Sequence, residues 1–323
     1  MILQGDNMQI MPQLPGESFH TCVTSPPYWG LRDYGIPPTD WPETTYTPMP
    51  GLPPVTVPAW TGCLGLEPTP EMFVAHSVAV FREVWRLLRK DGTLWLNYGD
   101  SYAKAGISGM GDPTIGERNL GGMKPLKKEI PLGLKPKDLI GIPWRVAFAL
   151  QADGWYLRMD NIWSKSNPMP ESVTDRPTKA HEYFFLLAKS ERYYYDKAAI
   201  IEQLTESSTA RLSQDVSGQP GSNRANGGTR ADRPMKAVGK AYSFARKVSE
   251  GDVPGQPKQH REDREDREYS GSRNKRSVWT MATAQFKEAH FATFPEKLIE
   301  PCILAGAPPG GQCLIHSVDP ERP

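Results

Sequence analysis

Residues 24–35 read T-S-P-P-Y-W-G-L-R-D-Y-G, and the paired prolines at 26 and 27 restrict this part of the chain more than any other feature does. Each proline fixes φ near −65° and donates no backbone N–H, so the segment is excluded from helix interiors and central strands. The preceding F-H-T-C-V-T is short and β-branched, as a buried strand is. The pair therefore reads as a rigid exit from a strand. Polar Ser25 and the rings of Tyr28 and Trp29 then fall just beyond a strand's carboxyl end, where open α/β sheets place their ligands.

The rest of the chain repeats that logic. A proline-rich stretch from Ile36 to about Gly65 reads as a loop or insertion. Residues 70–92 then place apolar side chains at helical spacing (Phe73, Val74, Ser77, Val78, Phe81, Val84, Trp85, Leu88), with Glu71 near the start and D-G as the closing turn. T-L-W-L-N-Y follows as a strand ending in the polar tip G-D-S-Y. This is the repeating unit of an α/β sheet. Residues 103–135, rich in Gly and Lys, read as a loop. G-I-S-G-M-G at 106–111 belongs to it, because it lacks a strand-to-helix setting. I-G-I-P-W-R-V-A-F-A-L-Q-A-D-G-W reads as a second helix. Y-L-R-M-D-N-I-W-S-K and H-E-Y-F-F-L-L-A-K-S read as two strands joined by a polar loop.

Composition changes near residue 203. Residues 203–276 hold few apolar side chains, and their fifteen Lys and Arg face ten acids. That surplus could meet phosphates, whereas R-E-D-R-E-D-R-E at 261–268 reads more simply as a solvated helix or disorder. The expected organisation is a catalytic region at 1–202, a variable region at 203–276, and a return to the catalytic domain at 277–323. Across all 323 residues the net charge is only +1, and Pro (32) and Gly (29) predict long irregular segments rather than wholesale disorder. Cys22, Cys63, Cys302 and Cys313 form no C-x-x-C pair, which reads as reduced thiols without a zinc site. The N-terminus lacks the basic and apolar regions of a signal peptide, and no apolar run reaches a membrane span of roughly 18 residues. The expected location is the cytoplasm.

Four blocks carry a resemblance: T-S-P-P-Y-W-G-L-R-D-Y-G, G-T-L-W-L-N-Y-G-D-S-Y, W-S-K-S-N-P-M-P-E-S-V-T-D-R-P-T-K-A-H-E and A-H-F-A-T-F-P-E-K-L. In this order they resemble the landmarks of the site-specific DNA amino-methyltransferases of the circularly permuted β type, bacterial or phage-encoded. That family methylates cytosine N4 or adenine N6 with S-adenosylmethionine, within restriction–modification. The resemblance implies an α/β, Rossmann-like, S-adenosylmethionine-dependent methyltransferase sheet, circularly permuted, with an irregular insertion. It implies double-stranded DNA as partner, and residues 203–276 as the target-recognition region.

The chemistry agrees with the residue types. An exocyclic amine conjugated to a base ring is a poor nucleophile, and acceptors must draw its N–H bonds out of the ring plane. Ser25 and the Pro26 carbonyl are such acceptors, held by Pro26 and Pro27. Tyr28 can stack on a base taken out of the duplex. The amine loses its proton after transfer, so no strong general base is needed. Ser25, in a position where relatives often carry Asp or Asn, favours cytosine N4 over adenine N6. The resemblance also places the methionine end of the cofactor near Phe291, Thr293, Phe294 and Pro295, a segment that equally reads as a helix start. Asp6 reads either as lining the cofactor pocket or as a helix N-cap. Trp29, Arg32, Asn167, Arg176 and His181 are expected around the target base, in a region that also holds Glu171, Asp175 and Thr178.

One landmark is absent from the pattern. The family's D-P-F-x-G-[ST]-G-T strand and loop should follow the F-P-E-K-L helix, yet the sequence there reads A-G-A-P-P-G-G-Q-C-L-I-H-S-V-D-P-E-R-P. The expectation is a C-terminally truncated or frameshifted sheet. Three outcomes follow: a methyltransferase, a DNA-binding remnant, or a subunit completed by a second chain or homodimer.

Overall fold

The computed structural model describes residues 2–31, 33, 35–103, 106–107, 127–128, 130–205, 208, 272–283, 294–310 and 315–317. These divide into one unit of Met1–Ile200 with Arg276–Pro323 and another of Ile201–Lys275.

In the first unit, β1 (Ile2–Gln4) leads into the single-turn α1 (Asn7–Ile10), and β2 (Phe19–Thr24) ends at the paired prolines. The proline-rich stretch departs from the expected loop. It folds as a nested hairpin in which β3 (Thr39–Trp41) and β4 (Thr44–Tyr46) pair with β6 (Trp60–Gly62) and β5 (Val55–Val57) respectively. The T-D-W, T-T-Y and V-T-V triplets alternate exposed and buried side chains, which proline counting hides.

This hairpin covers α2 (Pro70–Leu87), which explains why α2 is buried nearly all round. His76 stacks on Trp41 at 4.4 Å and on Trp60 at 5.7 Å. The His76 Nδ1 lies 3.0 Å from Glu67 Oε1, both side chains fully buried. Thr69 caps the helix by accepting the Met72 N–H, and Pro70 occupies the first turn.

The expected D-G helix stop is corrected by the structure. Leu88 already has extended backbone, and β7 runs from Leu88 to Tyr98. Residues 89–92 form a bulge opposite β2, where the register jumps from Phe19↔Leu88 to Thr21↔Thr93. A Cβ on Gly92 would meet backbone oxygens of Arg89 and His20 at 3.0 and 3.2 Å.

Two short strands, β8 (Gly106–Ile107) and β9 (Lys127–Lys128), pair within the segment expected to be loop; most of that segment lies outside the described residues. Next come α3 (Ile142–Ala152), β10 (Tyr156–Lys165) and β11 (His181–Ala188), as the patterning predicts. In the second unit β12 (Glu202–Gln203) pairs antiparallel with β13 (Ser272–Arg273). The chain re-enters the first unit through β14 (Val278–Met281), α4 (Glu296–Gly306) and β15 (Ile315–Ser317). β15 pairs in parallel with β1, and Asp319-Pro320 lies outside the described residues.

The main sheet has the order β14-β10-β11-β7-β2, with β11 antiparallel to its two neighbours and the other adjacent pairs parallel. Its pleat feeds two cores. Leu94, Leu96, Tyr98, Phe185 and Leu187 join residues of α2 and α3 in one cluster, whereas Trp95, Phe184 and Leu186 join Leu298, Cys302 and Ala305 of α4 in the other. The protein is thus an α/β fold of three layers. Among the described residues no helix is long and apolar enough to cross a membrane.

Gly306 sets how closely α4 approaches the sheet. A Cβ there would meet the Thr21 and Thr93 hydroxyl oxygens at 2.7 and 2.9 Å, atoms that already bond each other. Gly306→Ala is therefore expected to destabilise the domain by about 1–3 kcal/mol through overpacking, read as a lower urea midpoint at unchanged slope.

Candidate active site

Four neighbouring segments of the sheet exchange an apolar side chain for a polar one two residues along, on the α4 face. Val23 is followed by Ser25 just past β2, Trp95 by Asn97, and Trp163 by Lys165; on antiparallel β11 the order reverses, Glu182 before Phe184. Because the strand period is two, each polar residue shares the face of its apolar neighbour. The polar groups collect where the parallel strands reach their carboxyl ends.

Their contacts form one network. Tyr28 Oη lies 2.8 Å from Glu182 Oε2 and 3.0 Å from Asn97 Oδ1. The Ser25 hydroxyl lies 3.3 Å from both Asn97 Oδ1 and Tyr28 Oη. Asn97 Nδ2 donates to the Tyr183 carbonyl at 3.0 Å, which turns Oδ1 toward the hydroxyls. Lys165 pairs with Glu182 Oε1 and lies 4.7 Å above the Trp163 ring. Burial, and then the Glu182 carboxylate, hold the Tyr28 phenol well above the ordinary tyrosine value. Tyr28 is therefore expected to stay a neutral donor. Tyr28→Phe should leave unchanged the tyrosinate absorbance that develops near pH ~10.

Gly99 and Asp100, just past β7, position this network. A Cβ on Gly99 would lie 2.6 Å from the Tyr28 ring, so only glycine admits the tyrosine. Asp100 accepts from the N–H groups of Ser101, Gly141 and Ile142, tying the β7 tip to the start of α3. Gly99→Ala is expected to displace Tyr28 and lower activity on the order of 100-fold, the scale of a 1 Å misplacement. Circular dichroism should stay unchanged.

The residues singled out from sequence divide clearly. Ser25, Pro26, Pro27 and Tyr28 occupy the sheet tip as expected. Trp29 does not line it: the ring is in the core and its indole N–H donates to the Glu67 carbonyl at 2.9 Å. Asn167 is a tie between segments, its Oδ1 accepting the Thr283 N–H at 2.8 Å. Arg176 packs 4.0 Å over the Tyr102 ring and pairs with Glu171 at 2.6 Å. That bond holds the Glu171 carboxyl below its usual range. His181 packs edge-on against Tyr183. Asp6 serves as the N-cap of α1, accepting from Met8 N–H at 2.8 Å, while its second oxygen accepts from Thr39 Oγ1. Pro295 is itself the N-cap of α4, one residue before the expected first turn, and Phe294 packs into the α4-side cluster with Val23. Arg32, Phe291 and Thr293 lie outside the described residues. Asn97, Lys165 and Glu182 were not singled out. Their signal is present in W-L-N, W-S-K and E-Y-F, each a polar residue two positions from a core aromatic.

The tip of an α/β sheet, here gathering oxygen acceptors beside a rigid Pro-Pro exit, is where such folds bind their ligands. The chain belongs to the DNA methylase family of N6- and N4-directed amino-methyltransferases, whose model matches residues 19–314. It is 38% identical over 313 residues to the type II methyltransferase M.Cfr9I of Citrobacter freundii, covering 97% of this chain and 74% of that protein. It is 36% identical to the type II methyltransferase M.SmaI of Serratia marcescens, covering 97% and 77%. Among solved structures it resembles the PvuII DNA methyltransferase (cytosine-N4-specific) at 12% identity and a TM-score of 0.49, over 98% of this chain and 72% of that one. The chain is accordingly an S-adenosylmethionine-dependent DNA methyltransferase.

The residues present suit that cofactor in kind. Asp6 uses one lone pair on each carboxylate oxygen and keeps others for a further donor. Phe294 offers an apolar ring near the exit of β2.

Proposed function

We propose that this methyltransferase acts on cytosine N4 at a specific duplex site. The supporting observation is Ser25 at the first position of S-P-P-Y, its hydroxyl set between Asn97 and Tyr28 at the end of β2. In this reading the Ser25 oxygen and the Pro26 carbonyl accept the two amine hydrogens of a base turned out of the stack. Drawing those hydrogens out of the ring plane returns the nitrogen lone pair to the nitrogen. Tyr28 lies against the base, and Pro26 and Pro27 keep the acceptors from relaxing.

S-adenosylmethionine supplies the electrophilic methyl group when bound. Asp6, Phe291, Thr293, Phe294 and Pro295 would hold it, in a sheet whose order is circularly permuted. Residues 203–276 would read the target sequence, their five surplus positive charges meeting phosphates. Residues 166–180, which include Arg176 and lead into His181 at the start of β11, would border the base.

The test has two stages. Calorimetric titration of the purified chain with S-adenosylmethionine is expected to show saturable micromolar binding. Incubation with duplex DNA, hydrolysis and mass spectrometry should then yield N4-methylcytosine. Ser25→Ala should lower the rate about 10- to 100-fold, as loss of a positioning acceptor does. N6-methyladenine as the product would overturn the cytosine reading while leaving the amine chemistry intact.

A further inference from the structure

The polar network contains two hydroxyl protons and more than two oxygens able to take them, so where each proton goes is decided by the strongest acceptor. Glu182 Oε2, at 2.8 Å, is the nearest oxygen to the Tyr28 hydroxyl and belongs to a carboxylate. A charge-assisted bond of this kind is roughly twice as strong as a neutral one. Lys165 pairs with the other oxygen of the same carboxylate, and both side chains are at most one-fifth exposed. Asn97 cannot turn its amide round to donate, because Nδ2 is bonded to the Tyr183 carbonyl.

We propose that Glu182, held by Lys165, is a positioning residue for methyl transfer: by accepting the hydrogen bond of the Tyr28 hydroxyl it leaves Asn97 Oδ1 to the Ser25 hydroxyl, so that Ser25 meets the target amine as an acceptor. The inference rests on the function proposed above and adds the element that fixes its polarity. With the Tyr28 hydroxyl donating to Glu182, the Ser25 hydroxyl has two acceptors, Asn97 Oδ1 and Tyr28 Oη, and both lie within the network. The lone pairs of Ser25 Oγ are then left for the substrate. With a neutral amide at position 182 presenting its NH2, the Tyr28 proton turns to Asn97 Oδ1. The amide NH2 then occupies Tyr28 Oη and the Tyr28 proton shares Asn97 Oδ1, so the Ser25 proton is held less firmly and turns in part toward the amine, whose own hydrogens repel it. Glu182 thus acts through Tyr28 and Ser25 without touching the base.

The test uses the full chain without cofactor, and a duplex whose methylated site has been mapped. Affinity for that duplex is compared with affinity for one carrying pyrimidin-2-one, which lacks the amine, at the target position. Wild type is expected to prefer the amine-bearing base about 100-fold, the size of two well-made hydrogen bonds, one to Ser25 and one to the Pro26 carbonyl. Glu182→Gln and Ser25→Ala should each cut that preference about tenfold, leaving the share of the Pro26 carbonyl, while affinity for non-target duplex stays unchanged. In a Tyr28→Phe background Glu182→Gln should have no additional effect, because the connection is already cut.

Under turnover, Glu182→Gln should lower kcat with little change in KM. Should it fail to fold, Glu182→Asp, which keeps the charge and withdraws the oxygen, must show the same loss. A Glu182→Gln protein that keeps the full wild-type preference while Ser25→Ala reduces it overturns the inference and leaves the proposed function standing. No preference in wild type overturns the role of Ser25, and this inference with it.

Discussion

The pleat of β7 governs both the core and the site. Leu94, Leu96 and Tyr98 point into the layer of α2 and α3, and Trp95 and Asn97 point to the other side. A slip of one residue would send every side chain to the opposite face. The leucines would then meet the network around Tyr28, and Asn97 would be driven into hydrocarbon without partners. The register is held by pairing on both sides, Val23↔Trp95 with β2 and Leu186↔Trp95 with β11. The Gly92 bulge lets the α2–β7 junction absorb its irregularity before that register begins. Core packing and site geometry are consequently one constraint.

That unity explains which features were legible in the sequence. Helical spacing in 70–87, β-branching in 19–24 and aromatic density in 181–188 are local, and the elements formed where they indicated. The hairpin between Thr39 and Gly62 was hidden because its strands are three residues long and interleaved with prolines. What gives them structure is burial against α2 rather than intrinsic preference. The end of α2 was misplaced for a related reason. A D-G pair marks a turn in isolation, but here strand pairing with β2 reaches back to Leu88 and takes over the last turn.

The site was half legible. Ser25 and Tyr28 stand out because the prolines around them are unusual. Glu182, Asn97 and Lys165 do not, since each is an ordinary polar residue at the end of an apolar run, and only the alignment of adjacent strands brings them together. Trp29 was misread for the converse reason. Its position beside Tyr28 suggested a shared role, yet successive residues leaving a strand diverge, and its indole found the Glu67 carbonyl instead.

The single reversed strand, β11, has a consequence for how such an enzyme can change. Because β10 ends and β11 begins at the same edge of the sheet, residues 166–180 span a gap between two fixed anchors, with Lys165 at one and Glu182 at the other. Insertions or deletions there alter the surface beyond the strand ends while both anchors stay clamped in the sheet. The fold thereby separates a connecting surface that can change in length from the strand-borne side chains beside it, none of which need be replaced when it does.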